Sequence, residues 1–425
     1  MPTPAARALA READDGGGGP EVTAVTGEPA TTAQPARWGG VLAMTLCVFA
    51  LIASEFMPVS LLTPIAADLA VSEGRAGQGI AVSGAAAVLA SLSVARLAGR
   101  IDRKTVLLWL TGLMCLSGVV IALAPSYAVY MAGRALIGVV VGGFWSLSAA
   151  TAMRLVPAPQ VPRALAVFNG GNALATVVAA PLGSYLGAVI GWRGAFFCLV
   201  PVAVLALVWQ WVSLPAMPVE PQRTRGPGSA IGLLRRPVVA VGMLAVGCFF
   251  LGQFALFTYV RPFLEDVTHA GGFTVSFILL VMGVAGFVGT TLISTALNRG
   301  FYRTLCIAPV LMALIAVALV CVGDRLTWVT ALLGVWGLVA TAVPVGWWTW
   351  VARTLPDDAE AGGGLMVAVV QLAIGLGSTA GGLLLDRSGY QSAFALSALV
   401  LLVAAGMVYL TWRASVGEGR AGAGA

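Results

Sequence analysis

Charge is the first thing this sequence lacks: of its 425 residues only 10 % are Asp, Glu, Lys or Arg. A soluble globular chain carries roughly 25 %, so too few polar side chains are present to coat a water-facing surface of ordinary size. Histidine is nearly absent as well. The single His269 falls in a predicted outer loop, no group of His, Cys, Asp and Glu recurs at metal-ligand spacing, and the glycine run Gly362–Gly364 passes into Leu365 without the Lys-Ser/Thr of a phosphate-binding loop. No enzyme, metal or cofactor is expected, and ATP hydrolysis is set aside as an energy source. The six cysteines (Cys47, Cys115, Cys198, Cys248, Cys306, Cys321) lie inside apolar runs without C-x-x-C spacing, which predicts buried free thiols. Residues 1–37 hold no aromatic side chain and no signal-peptide pattern, so a disordered tail is expected there.

What is present is apolar: 59 % of the chain is hydrophobic. About 20 apolar residues cover the roughly 30 Å hydrocarbon layer as a helix, and the sequence offers such runs repeatedly between short breaks rich in Gly, Pro and Arg. Segments are predicted near 38–62, 76–97, 105–124, 128–152, 164–187, 194–214, 237–260, 273–296, 305–323, 326–352, 362–385 and 390–412. With the N-terminus inside, 18 of the 24 Lys and Arg fall in cytoplasmic tails and loops, which predicts both termini in the cytoplasm. The net charge of +6 is scattered between apolar runs and so reads as topology, with no nucleic-acid partner.

The polar stretch Pro215–Pro237 divides the segments six and six. Across it, GWRGAF (Gly191–Phe196) recurs as GYQSAF (Gly389–Phe394), RIDRKT (Arg100–Thr105) as RGFYRT (Arg299–Thr304), and Glu55-Phe56 falls on Gln253-Phe254. Offsets agreeing within one residue predict two parallel repeats. The expected plan is a cytoplasmic tail (1–37), a first half (38–214), a linker (215–236), a second half (237–412) and a short tail (413–425).

Several stretches resemble the major facilitator superfamily. ARLAGRIDRK (Ala95–Lys104) is similar to its loop GxLADRxGRK, with Gly99 in place of the Asp and Asp102 in place of the second Gly. Arg134 and Gly138 match its fourth-helix RxxxG, and APLGSYLGAVIGWR (Ala180–Arg193) resembles the Pro-Gly motif of its drug:proton antiporter branch. EFMPVSLLTPIAADLAVSEGRAGQ, GGFWSLSAATAMRLVP, QFALFTYVRP and VPVGWWTW (starting at Glu55, Gly142, Gln253 and Val343) resemble the bacterial purine ribonucleoside efflux pumps. The resemblance implies an all-α membrane protein of twelve transmembrane helices in two pseudo-symmetric six-helix halves. It implies alternating access in the inner membrane, functional as a monomer, with export of purine ribonucleosides such as inosine and guanosine against entering protons. It also implies gating by Arg100, Asp102, Arg103 and Lys104; for Pro181 and Gly183 a gating role stands beside ordinary close packing. Export of another small amphiphile, a phenicol or a sugar, and a non-transporting membrane sensor stay open.

An ionised acid in hydrocarbon costs several kcal/mol, so Glu55 must face a cavity, meet a cation or be protonated. Arg134 is the cation predicted within a helix. Glu55 lies about seven residues and Arg134 about six below the outer ends of their segments, roughly 9–11 Å deep in both cases. A pair at matched depth suits a proton carrier whose affinity follows conformation, or else a permanent structural ion pair. A purine needs aromatic faces and polar edges, for which Gln253, Phe254, Phe257, Tyr259, Trp145, Asn172, Trp347 and Gln371 are the candidates. Trp350 is expected as an interfacial anchor.

Overall fold

The computed structural model describes residues 36–97, 101–217, 232–356 and 358–423, and every regular element among them is helical. The first half contains α1 (Trp38–Ser60), α2 (Leu62–Asp68), α3 (Glu73–Leu97), α4 (Arg103–Ala122), α5 (Tyr127–Arg154) and α6 (Val161–Ser213). The second contains α7 (Pro237–Phe257), α8 (Val260–Asp266), α9 (Gly272–Arg299), α10 (Phe301–Val322), α11 (Leu326–Thr354), α12 (Ala359–Ser388) and α13 (Tyr390–Ala423). Ten helices among the described residues are long and apolar enough to cross a membrane, one of them the 51-residue stretch Arg163–Ser213. Such a stretch is about 76 Å long, more than twice the hydrocarbon thickness. It turns at Gly191, the residue inside α6 whose backbone leaves the helical region. The twelve expected crossings correspond to these ten with the two arms of α6 taken apart and the 25-residue α3 added. Below, the end of the bundle that carries Trp38 and the linker is the terminal end, and the opposite end is distal.

The second half repeats the backbone of the first. Gly191 (φ 77°) and Gly389 (φ 78°) make the same corner 198 residues apart, at a φ that glycine adopts without a Cβ penalty. Ala70 (φ 51°) and His269 (φ 55°), 199 apart, are the described non-glycine residues with positive φ. α2 and α8 also lie 198 apart. The apolar runs 38–62 and 237–260 are expected as single helices, but each stops early and restarts as a short one. The reason is proline: Pro64 and Pro262 lack the N–H that would bond the carbonyl four residues back, at Ser60 and Thr258. At the other extreme α13 runs to Ala423, past Arg413 where the apolar run ends, because helix-compatible residues continue there.

The halves meet where α3 packs along α12 and α6 along α9. The tightest approaches of α3 to α12 run from Gly84 against the Gln371 carbonyl, through Gly375 on Ala81, to Gly74 on Gly382 and Asp386. Ser72 Oγ donates to Asp386 Oδ2 at 2.5 Å and the Gly74 N–H to Oδ1 at 3.1 Å. The row starts at the middle of the two helices and runs to their distal ends. On the second seam Tyr185 of α6 meets Phe273 of α9, ring centroids 5.8 Å apart, also distally. Toward the terminal end, Gly170 and Gly364 meet nothing within 4 Å.

Candidate functional site

Helix α1 is held close to its neighbours by small residues: a Cβ on Gly183 of α6 would come within 2.6 Å of Ser60 Oγ and 2.9 Å of Met57 Cγ. Pro58 sits within α1 and removes the bond to the Ser54 carbonyl. Arg134 of α5 occupies that vacancy. Its Nη1 donates to Ser54 O at 2.9 Å, Nε to Gly79 O at 3.1 Å, and Nη2 to Ser83 Oγ at 2.9 Å and Glu55 O at 3.3 Å. The guanidinium is fully buried and reaches the main chain at Glu55, while the Glu55 carboxylate bonds elsewhere. Its Oε1 accepts from the Nε2–H of Gln371 on α12, at 3.2 Å, from one half of the molecule to the other.

Beside this bond the repeat-related aromatics face each other: Phe56 and Phe254 have ring centroids 6.0 Å apart, and Phe257 packs edge-on to Phe254 at 5.6 Å. Gln253, the counterpart of Glu55, is buried and its Oε1 has no hydrogen-bond partner. Glu55 and Gln371 thus meet between α1 and α12, and Phe56, Phe254 and Phe257 between α1 and α7, where Gln253 precedes Phe254 in the chain. Four candidates lie elsewhere. Tyr259 fits between Gly77 and Gly382 with its hydroxyl donating to Ser378 O at 2.6 Å, so its polar atom is occupied in the distal seam. Trp145 stands edge-on to Phe168 at 6.2 Å inside the first half, and Asn172 is half-buried on α6. Trp347 is buried on α11 with its indole N–H unpartnered, 5.8 Å from Trp350. Trp350 is not the anchor expected of it. It is 1 % exposed and lies over Gly242, whose missing side chain makes room for the ring; the neighbouring Trp348 faces outward.

The described bonds of the loop centre on Asp102. Asp102 caps α4, accepting from Lys104 N at 2.8 Å and from Met217 N at 2.7 Å, so it ties the start of the linker to α4. Arg103 and Lys104 are half-buried beside it, and Arg100 lies outside the described residues. Pro181 is buried in an unbroken part of α6, and the Val177 carbonyl it leaves unbonded faces Gly283 of α9 across the second seam.

Arg261, which sequence reasoning assigned to topology alone, is buried where the halves meet. It is 6 % exposed, pairs with Glu265 at 2.7 Å, and donates to Ser184 Oγ at 3.4 Å and to the Ser60 carbonyl freed by Pro64. That bond joins the halves at the distal end. The signal available in sequence was the spacing of Pro64 and Pro262, equal to that of Glu55 and Gln253.

Two repeated helical halves, closed against each other at one end and bridged near their centre by a buried acid, are the plan of a membrane transporter. A profile of the Major Facilitator Superfamily matches residues 44–377, and the chain belongs to that superfamily. It is 62 % identical over 389 residues to a Pseudomonas aeruginosa protein named transcription regulatory protein OpdE, covering 91 % of this chain and 96 % of that one. It is 42 % identical over 369 residues to the purine ribonucleoside efflux pump NepI of Salmonella typhimurium, covering 87 % and 92 %. Among solved structures, a bacterial homologue of the human lysosomal transporter Spinster, inward-facing and unoccupied, superposes with a TM-score of 0.74 at 15 % identity over 90 % of this chain and 98 % of that one. A D-xylose-proton symporter gives 0.68 at 16 %, over 88 % and 96 %. At such identities the likeness to solved structures is one of fold.

Proposed function

We propose that the chain exports purine ribonucleosides such as inosine and guanosine in exchange for protons, in a bacterial inner membrane with its terminal end in the cytoplasm, and that it works as a monomer. The observation that carries this reading is Glu55: an acid buried in the bundle, bonded across the halves, beside a cluster of aromatic rings. The 42 % identity to purine ribonucleoside efflux pumps supports the substrate class. Phe56, Phe254 and Phe257 offer faces for a purine, and the free Gln253 Oε1 offers an acceptor for the N1–H that inosine and guanosine share. One proton entering down ~150 mV releases about 3.5 kcal/mol, enough for a neutral solute gradient of a few hundred-fold, so a single titrating acid is sufficient.

A second reading follows from the 62 % identity to the protein named a transcription regulator. A transporter influences transcription when it lowers the concentration of an effector, so the two readings are compatible unless the effect persists without transport. Inverted membrane vesicles with an acid interior separate them. Labelled inosine is expected to accumulate severalfold more with the gradient than without, and to leak out on adding an uncoupler. Absence of inosine and guanosine uptake overturns the export reading. A transcriptional effect that survives in a Glu55→Gln variant unable to accumulate nucleoside favours the regulator.

A further inference from the structure

Glu55 and Gln371 are 316 residues apart in sequence and lie in opposite halves, yet each is 7 % exposed and they share the 3.2 Å hydrogen bond. Gln371 has little freedom to be elsewhere. Its carbonyl oxygen lies 2.8 Å from where a Cβ on Gly84 would stand, so α12 is pressed on α3 at this residue. It is the innermost contact of the row that ends at Gly74, Ser72 and Asp386. The amide therefore reaches the carboxylate while that seam is shut. The charged side chain facing Glu55 is Arg134 of α5, whose N–H groups are engaged by Ser54, Glu55 and Gly79 carbonyls and the Ser83 hydroxyl of its own half. Rocking one half against the other leaves the arginine bonds intact and breaks the glutamine bond.

We propose that Gln371 is a positioning residue that ties the ionised form of Glu55 to closure of the distal side, an inference that rests on Glu55 being the proton carrier. An amide N–H bonds a carboxylate about twice as strongly as it bonds a neutral partner. With the seam shut, a proton leaves the Glu55 carboxyl for water on the terminal side and the carboxylate left behind keeps Gln371. With the seam open the amide is withdrawn, and a proton from the distal side binds the same oxygen. Each cycle takes up one proton and releases one.

The probe is a pair of pyrene labels at Tyr185→Cys and Phe273→Cys, whose rings are 5.8 Å apart across the second seam and exposed, in a transport-competent background with the native cysteines replaced. Excimer emission from the full-length protein in lipid nanodiscs reports distal closure between about pH 5 and 9. It is expected to rise with pH in the parent, and its pH-dependent amplitude to fall at least fivefold in Gln371→Met and in Glu55→Gln. Gln371→Asn, one methylene too short to reach, is expected to do the same and guards against misfolding of the Met variant. An amplitude kept in full by Glu55→Gln, an unchanged amplitude in both Gln371 variants, or no pH dependence in the parent overturns the inference. Because no substrate is added, failure of inosine transport removes the export reading without deciding this one.

Discussion

Where the first half has Glu55 the second has Gln253, and where the first has Arg134 bonded to Ser83 the second has Leu333 and Met282 at the equivalent places. Four residues beyond Arg134 the halves agree again. Gly138 lies against the Ser83 carbonyl and Gly337 against that of Met282, so close in both cases that a Cβ would overlap the oxygen. The backbone contact is thus duplicated and the buried charge is not. Shape in this molecule comes from small residues that both halves keep, whereas at this depth the first half carries Glu55 and Arg134 and the second a neutral amide and a leucine.

The comparison breaks most readily at the glycines. Gly138→Val and Gly337→Val are both expected to lower the yield of monodisperse protein in size-exclusion chromatography more than tenfold, since main chain and not a flexible side chain stands in the way. Sensitivity in one half only refutes their equivalence. Next in size, Glu55→Gln is expected to reduce the ratio of inosine accumulation with and without a pH gradient at least tenfold, because Gln cannot titrate; a ratio like that of the parent moves the coupling to another acid. Arg134→Leu imports the second half's residue into the first and strands the Ser54 and Gly79 carbonyls. A loss of about 3 kcal/mol is expected, read as a lower melting temperature in detergent. An unchanged melting temperature shows that those carbonyls find other donors. The smallest effect is at Gln253→Leu: a lost hydrogen bond of ~0.5–1.5 kcal/mol raises the KM for inosine roughly two- to tenfold and leaves the gradient ratio alone. A change in the ratio instead makes Gln253 part of the coupling.

The duplication was legible because it is written in residues with little alternative. The glycine that opens GWRGAF is the glycine that opens GYQSAF, and both make the same positive-φ corner. The facing of Phe56 and Phe254 follows from the offset that aligned them, since residues related by a central axis meet when they lie near it. The breaks after Ser60 and Phe257 were not read, as apolar content runs through them and only the missing proline N–H marks the place. Arg134 and Glu55 were placed at one depth from sequence alone. That the arginine would bond carbonyls depends on which main-chain groups Pro58 leaves open, a matter of backbone geometry. Gln371 was a substrate-binding candidate for its hydrogen-bonding amide, but nothing in a linear pattern points it across 316 residues at Glu55.

The two buried arginines among the described residues end on main-chain oxygens that a proline four residues further on has released: Arg134 on Ser54, ahead of Pro58, and Arg261 on Ser60, ahead of Pro64. A carbonyl is present whatever amino acid occupies the position, so a codon change at Ser54 or Ser60 does not delete the acceptor. Selection for carriers with a leaky or weakened distal side should therefore return substitutions at Arg261 and Pro64, and spare Ser60. The lineage can retune each clasp from one side only, by editing the donor or the residue that withholds its competitor.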